Sequence, residues 1–199
     1  NQYHTMLAGE FPDVNYLDHQ GGTSEHPRLA AQNSTIPLYW SGPPSGTQQD
    51  FIPESYVQAT YFINLANFKS HQGAGVTFCA KNHYGSFTRY PAQDDYYDLH
   101  ASLSNLTPES ANYRAVVDLM GHAHLGGKTL LYLIDGLYSG CHPQDSAPMR
   151  WAHTPFDDDW TSSLFASQDP VAIESVGFDI MQLEGDPRLY PQMAGADDY

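Results

Sequence analysis

The run "KTLLYLIDG", Lys128 to Gly136, constrains the fold of this 199-residue chain more than any other stretch. Its apolar core, "TLLYLI" at 129–134, is the longest in the sequence and far shorter than the roughly 18 to 20 residues a membrane-spanning helix needs. A near-continuous apolar run closed by Asp135-Gly136 is the mark of a strand buried on both faces, the condition found in parallel sheets. A soluble chain built around such a strand is therefore expected.

Other segments join it. "YVQATYFINLANF" has the β-branched and aromatic enrichment of a buried strand, placed at Thr60 to Leu65, and "SSLFAS" at 162–167 reads as another. "QDPVAIESVGFDIMQLEG" predicts a helix capped by Asp169, begun by Pro170 and ended by Gly185. Its inner faces are expected at Val171, Ser175, Phe178 and Met181, or at Ile180 and Leu183. A second helix is expected over Pro108 to Met120, capped by Thr107, with Ala111, Ala115, Val116 and Leu119 on one face. Residues 76–84 read as a helical turn and 87–107 as a polar, tyrosine-rich loop. Strand, helix, strand, helix predicts an α/β fold over 56–199, with a mainly parallel sheet flanked by helices. Residues 1–55 read as loop-rich, with "FPDVNYLD" and "IPLYW" as short strands. A core-forming domain rarely opens with so long an irregular stretch, so this segment is expected to be the tail of a missing N-terminal half of a larger chain.

Charge narrows the partners. Eight basic residues against 23 acidic ones leave a net charge of −15, a field that repels phosphate backbones and anionic lipid and excludes nucleic acid as a partner. The chain starts at Asn1 with neither a basic n-region nor an apolar h-region, so a targeting signal would have been removed or lie outside it. Asn33 in "NST" and Asn105 in "NLT" are glycosylation acceptors if the protein is exported. Cys79 and Cys141 could pair in an oxidising compartment or sit as separate buried thiols.

The chemistry concentrates in "NLANFKSHQGAGVTFCAKNHYG", Asn64 to Gly85, which reads as a polar loop following a strand. Lys69 and His71 would follow the first strand, Asp135 would end the second, and Asp169 would come just after the third. In an open parallel sheet, ligands bind beyond the carboxyl ends of the strands, which would gather these groups around one crevice. Lys81 and Asn82 would complete it, since only three lysines occur in the chain and two flank this glycine-rich stretch. Each has a structural alternative: Asp169 as a helix cap, Asp135-Gly136 as a turn, Asn82 and Ser86 as partners of loop backbone. His122 and His124 in "GHAHLGG" have a spacing that lets both reach a metal, or they serve the C-terminus of a helix beside its dipole. Asp157 to Asp159 in "FDDDW" are a calcium candidate without the spacing of a calcium loop, and a solvated acidic turn is the simpler reading. No P-loop, dinucleotide fingerprint or nucleophile elbow is present.

Three segments, "INLANFKSHQGAGVTFCAKNHYGS", "LLYLIDGLYSG" and "SLFASQDPVAIESVGFDIM", resemble in order three landmark segments of the domain of unknown function 362 family, above all its exported bacterial members, which often carry a twin-arginine signal. The resemblance covers roughly 56–199. It implies an α/β fold completed by a preceding N-terminal half, an exported location, and a chain that stops before the family's usual end. A more distant, fold-level likeness to nickel-pincer lactate racemases would match a histidine and a lysine of their loop to His71 and Lys81, although "FCA" replaces the small residues before that lysine.

The functional expectation is an exported protein that binds an anionic small molecule or metal-linked cofactor at Lys69, His71, Lys81, Asn82, Asp135 and Asp169. His71 would act as general acid or base, and Lys81 would anchor the ligand or stabilise negative charge. The rival expectation is a non-catalytic extracellular structural protein, a glycosylated surface or filament subunit whose Tyr/Pro/Gly-rich loops support self-association. The cofactor is left open.

Overall fold

A computed structural model describes residues 2–18, 21–25, 27–42, 50–71, 74–89, 115–140 and 147–184. In chain order its first elements are α1 (Gln2–Leu7), β1 (Leu17–Asp18), β2 (Leu29–Ala30), β3 (Asn33–Leu38), β4 (Asp50–Pro53) and α2 (Glu54–Gln58). There follow β5 (Phe62–His71), β6 (Gly75–Thr77), α3 (Cys79–Asn82), β7 (Thr88–Arg89), α4 (Ala115–Gly121), β8 (Thr129–Gly140), β9 (Ser163–Ser167) and α5 (Pro170–Glu184). Helices and sheets are mixed, as an α/β reading requires. Among the described residues no helix is long and apolar enough to cross a membrane.

The sheet is not mainly parallel. Its order is β6-β5-β8-β9, and only the central pair, β5 with β8, runs parallel. β6 turns straight back on β5, and β9 runs antiparallel to β8. The cause is connection length and content: a tight turn can join only antiparallel neighbours, while a parallel neighbour needs a crossover of about a dozen residues, usually a helix. No helix lies between β8 and β9 among the described residues. A separate antiparallel sheet, β3-β4-β7, takes β3 and β4 from the segment read as loop-rich, and β1 pairs with β2 in a small parallel ladder.

Nor is β8 buried on both faces. Tyr132, Ile134 and Gly136 face inward, whereas Leu131 and Leu133 are half-buried. Their neighbours on that outer face, Ile63, Leu65 and Leu164, are 62%, 57% and 62% exposed. The inner face packs Ala66, Phe68, Tyr132 and Ile134 against Phe78, Cys79, Trp151 and the Ile173 and Met181 side chains of α5. A second core, Leu38, Trp40, Ile52, Ala115, Leu119 and Leu125, joins the three-stranded sheet to α4.

Asp169 and Pro170 start α5 as expected, but its buried stripe is Ile173, Gly177, Met181 and Glu184. Val171 and Leu183 point to solvent, and Phe178 and Ile180 pack only at the margin of the core. Gly177 explains the shift: it lies under the Phe78 ring, where a Cβ would come within 3.0 Å of it, so the helix approaches along a stripe containing no apolar side chain at that turn. In α4, Ala115 and Leu119 are buried as expected, while Thr107, Pro108 and Ala111 lie outside the described residues, as does Gly185.

Candidate functional site

β5 is longer than expected and carries the site on itself. The strand runs to His71, so Lys69 and His71 stand on it rather than after it. Side chains alternate across a strand: Asn64, Ala66, Phe68 and Ser70 are buried, and Asn67, Lys69 and His71 lie on the opposite, open face, about 7 Å apart in succession. Asp135 of β8 is the direct neighbour of Asn67. One sheet face therefore gathers Lys69, His71 and Asp135.

Lys69 Nζ donates to Thr77 Oγ1 at 2.9 Å, its cross-strand neighbour on β6. His71 Nδ1 accepts the Ala74 N–H at 3.2 Å, so the neutral ring carries its proton on Nε2. Asp135 Oδ1 accepts the Leu137 N–H at 3.0 Å, and β8 continues beyond it to Gly140 instead of ending there.

Lys81 comes from α3, a helix of four residues that is too short to persist alone. Three side chains fix it. Glu174 of α5 accepts the Ala80 N–H at 2.5 Å. Asn64 donates to the Cys79 carbonyl at 2.9 Å, and Asn82 donates to Asn64 Oδ1 at 2.8 Å and to the Leu65 carbonyl at 3.0 Å. The Asn82 amide thus serves the backbone of β5. Burial pushes the Glu174 carboxyl up, opposed by the N–H groups of Ala80 and Cys79. Burial, then the Glu174 charge, pushes the Cys79 thiol up to about 12, which leaves a free, buried and chemically inert sulfur. Cys141 lies outside the described residues.

The Lys81 ammonium sits 4.1 Å from the centroid of the Tyr84 ring. Its pKa is lowered by burial and, next, by the charge of Lys69.

The other candidates stand elsewhere. Because β9 is antiparallel, its last residue, Ser167, pairs with Tyr132, while Lys69 is level with Gly140 at the far end of β8. Asp169 consequently lies at the opposite end of the sheet from Lys69. Its Oδ1 accepts the N–H groups of Val171 and Ala172 at 2.9 and 3.1 Å, as a helix cap does. His122 Nδ1 accepts the His124 N–H at 3.1 Å, and the two rings are 5.8 Å apart. Burial, then His124, lowers the pKa of His122. Among the described residues no group of three or more His, Cys, Asp or Glu side chains could hold a metal. Asp157 and Asp159 accept from Thr154 and Trp160 within a tight turn, where Asp157 and Asp158 have φ of 48° and 65°. Asn33 is exposed at the start of β3, and Asn105 lies outside the described residues. The third lysine, Lys128, donates to the carbonyls of Tyr56, Val57 and Ala59 and closes the end of α2.

Sequence reasoning missed the supporting residues. Asn64 and Glu174 hold α3, and Glu184, 3% exposed, accepts from the backbone of Ala152 and His153 and pins the segment before β9. A polar residue inside an apolar run, such as Asn64 in "FINLANF", is the one signal that marks such a post.

His83, 5% exposed, follows α3 and shares a hydrogen bond with Ser86 Oγ. Burial pushes its pKa down from 6.5 to about 4. Between those values the unfolded chain binds a proton that the native chain does not, so stability rises with pH through this window and is lost as pH falls through it, by about 3 kcal/mol in all. Urea unfolding at pH about 4 and about 7 should show that His83→Gln removes this part of the acid sensitivity; the same pH dependence in both proteins would refute it.

No curated protein and no solved structure matches the chain. The family model described as Domain of unknown function (DUF362) matches residues 34–179, a span that holds β5, α3, β8 and β9 whole. That match covers well over half of the sequence and contains the strand, the turn and the lysines described above, and on it the chain belongs to the DUF362 family.

Proposed function

We propose that this protein binds an anionic small molecule, alone or as the anionic part of a metal-linked cofactor, at the polar end of its open sheet face. One observation carries the reading. Two of the chain's three lysines, Lys69 tied to Thr77 on β6 and the half-buried Lys81 over the Tyr84 ring, flank one short segment in a protein of net charge −15. An anion bound at this segment would meet positive charge from both side chains. His71, two residues from Lys69 on the same face, would then supply an Nε2–H donor and serve as general acid or base for any reaction there. Ile63, Leu65 and Leu164 offer apolar surface beside the polar end. An exported location belongs to the same reading.

Inorganic pyrophosphate is a suitable probe. Calorimetry should show saturable binding to the native protein, weakened about tenfold by Lys81→Met or Lys69→Met and abolished in the double variant, with the circular dichroism unchanged. Equal affinity in the double variant would sink the assignment.

The same exposed Ile63, Leu65 and Leu164 favour a second reading, a non-catalytic subunit that associates through this face. Sedimentation velocity separates the two, since a strict monomer counts against the subunit.

A further inference from the structure

We propose that the open edge of β9, with the adjoining flank of α5, is a dimer interface whose partner is a second copy of this chain. Among the described residues β9 is the last strand of its sheet, paired on one side only, with β8. A strand edge offers a row of backbone donors and acceptors to any strand that can pair with it, and native proteins blunt such edges with charge, proline or a bulge. β9, "SLFAS" at 163–167, has none of these. It also reads nearly alike in both directions. Antiparallel pairing about a two-fold axis at Phe165 sets that residue opposite its own copy, Leu164 opposite Ala166, and Ser163 opposite Ser167. Phe165 is half-buried at the margin of the core, packed on Phe68, and the second copy covers what the core leaves open.

α5 supplies a second layer to the same side of the molecule. It lies over β8 and β9 and runs back along them, from Pro170 just after β9 to Glu184, which holds the segment before β9. Its Glu174 side reaches α3, which covers β5. At about 100° per residue, Val176 and Leu183 project from the opposite side of the helix, away from β5 and past the β9 edge. They are 51% and 61% exposed. Pairing two β9 strands brings α5 and its copy two strand spacings apart, about 10 Å, the distance at which helices pack. The axis at Phe165 then passes within about one helical turn of Val176. Charge favours this surface over others. Two chains of net charge −15 repel, so they meet most readily where fewest charges stand. β9 carries none, and the exposed flank of α5 carries only Asp179. A five-residue edge backed by one helix is small beside a standard dimer interface, so dissociation in the micromolar range is expected.

This interface shares no residue with the anion site, and α5 lies across the sheet from the outer face of Ile63 and Leu65, so the readings fail separately. Sedimentation velocity of the whole chain should show dimer replacing monomer between about 1 and 100 μM. Val176→Glu sets two carboxylates against each other near the axis, and Ala166→Lys puts a charge on the strand edge. Each should raise the dissociation constant at least about tenfold, with the circular dichroism unchanged because both positions are exposed. Leu65→Lys, on the outer sheet face, should leave the dimer intact. A monomer at about 100 μM, a dimer unmoved by Val176→Glu, or a dimer dissolved by Leu65→Lys would each overturn the proposal.

Discussion

Phe68→Ala is expected to destabilise the protein by about 3–5 kcal/mol, the loss typical of truncating a buried aromatic side chain. Phe68 is fully buried, and its ring centroid lies 5.5 Å from that of Phe78, 5.1 Å from that of Trp151 and 5.0 Å from that of Phe165. Those three rings come from the lead-in to α3, the segment before β9, and β9 itself. Truncation would leave an apolar hole among aromatic rings that are too rigid to collapse into it, so both the transfer and the cavity contributions are lost. Urea unfolding should show a lower midpoint with an unchanged slope. A loss below about 1 kcal/mol would mean that Phe68 does not hold the sheet to its covering layer.

Gly126→Ala is expected to be comparably severe for an opposite reason. A Cβ at this position would lie 1.8 Å from the Met120 carbonyl oxygen and 2.7 Å from its carbon. Both are backbone atoms, which no rotamer change can move aside. The chain doubles back here from α4 to reach β8, and the return is locked by Gly127 N–H to the His122 carbonyl at 3.1 Å and by the Tyr132 hydroxyl to the Gly126 carbonyl at 3.2 Å. The added methyl must therefore displace α4 or the start of β8, at a cost at or above the upper end of the roughly 1–3 kcal/mol typical of overpacking. The neighbouring Gly127→Ala is the control. Its Cβ would be 3.3 Å from the His122 oxygen, which small adjustments can absorb, and thermal unfolding should show a much smaller shift. Equal shifts for the two variants would contradict this account of the turn.

What the sequence made legible follows from how strongly each local signal outweighs its context. Asp169-Pro170 is a cap followed by a first-turn proline, two local preferences that agree, and the helix begins there. The apolar run of β8 is equally insistent. β5 was harder to read because polar groups occupy both of its faces: Asn64, bonded to α3, and Ser70 inside, and Asn67, Lys69 and His71 outside. Alternation of that kind hides a strand inside what reads as a loop. Strand direction depends on what the connections contain, which no single strand sequence encodes, and that is why Lys69, His71 and Asp135 came together while Asp169 did not. β4 was missed for a related reason. Asp50 looks like a turn residue, yet it is buried at 3% exposure because Trp40 Nε1 donates to it at 2.8 Å across the chain.

The clamp on α3 also bears on when the lysine pair can come into being. Glu174 reaches Ala80 across 94 positions of sequence, and without it and the Asn64 contact a four-residue helix has no reason to form. Contacts of such separation close late, after the loop entropy between them has been overcome. During synthesis, then, α3 has only its contacts with β5 until α5 has been made and has docked, and a chain interrupted before Glu174 would hold Lys81 by those contacts alone.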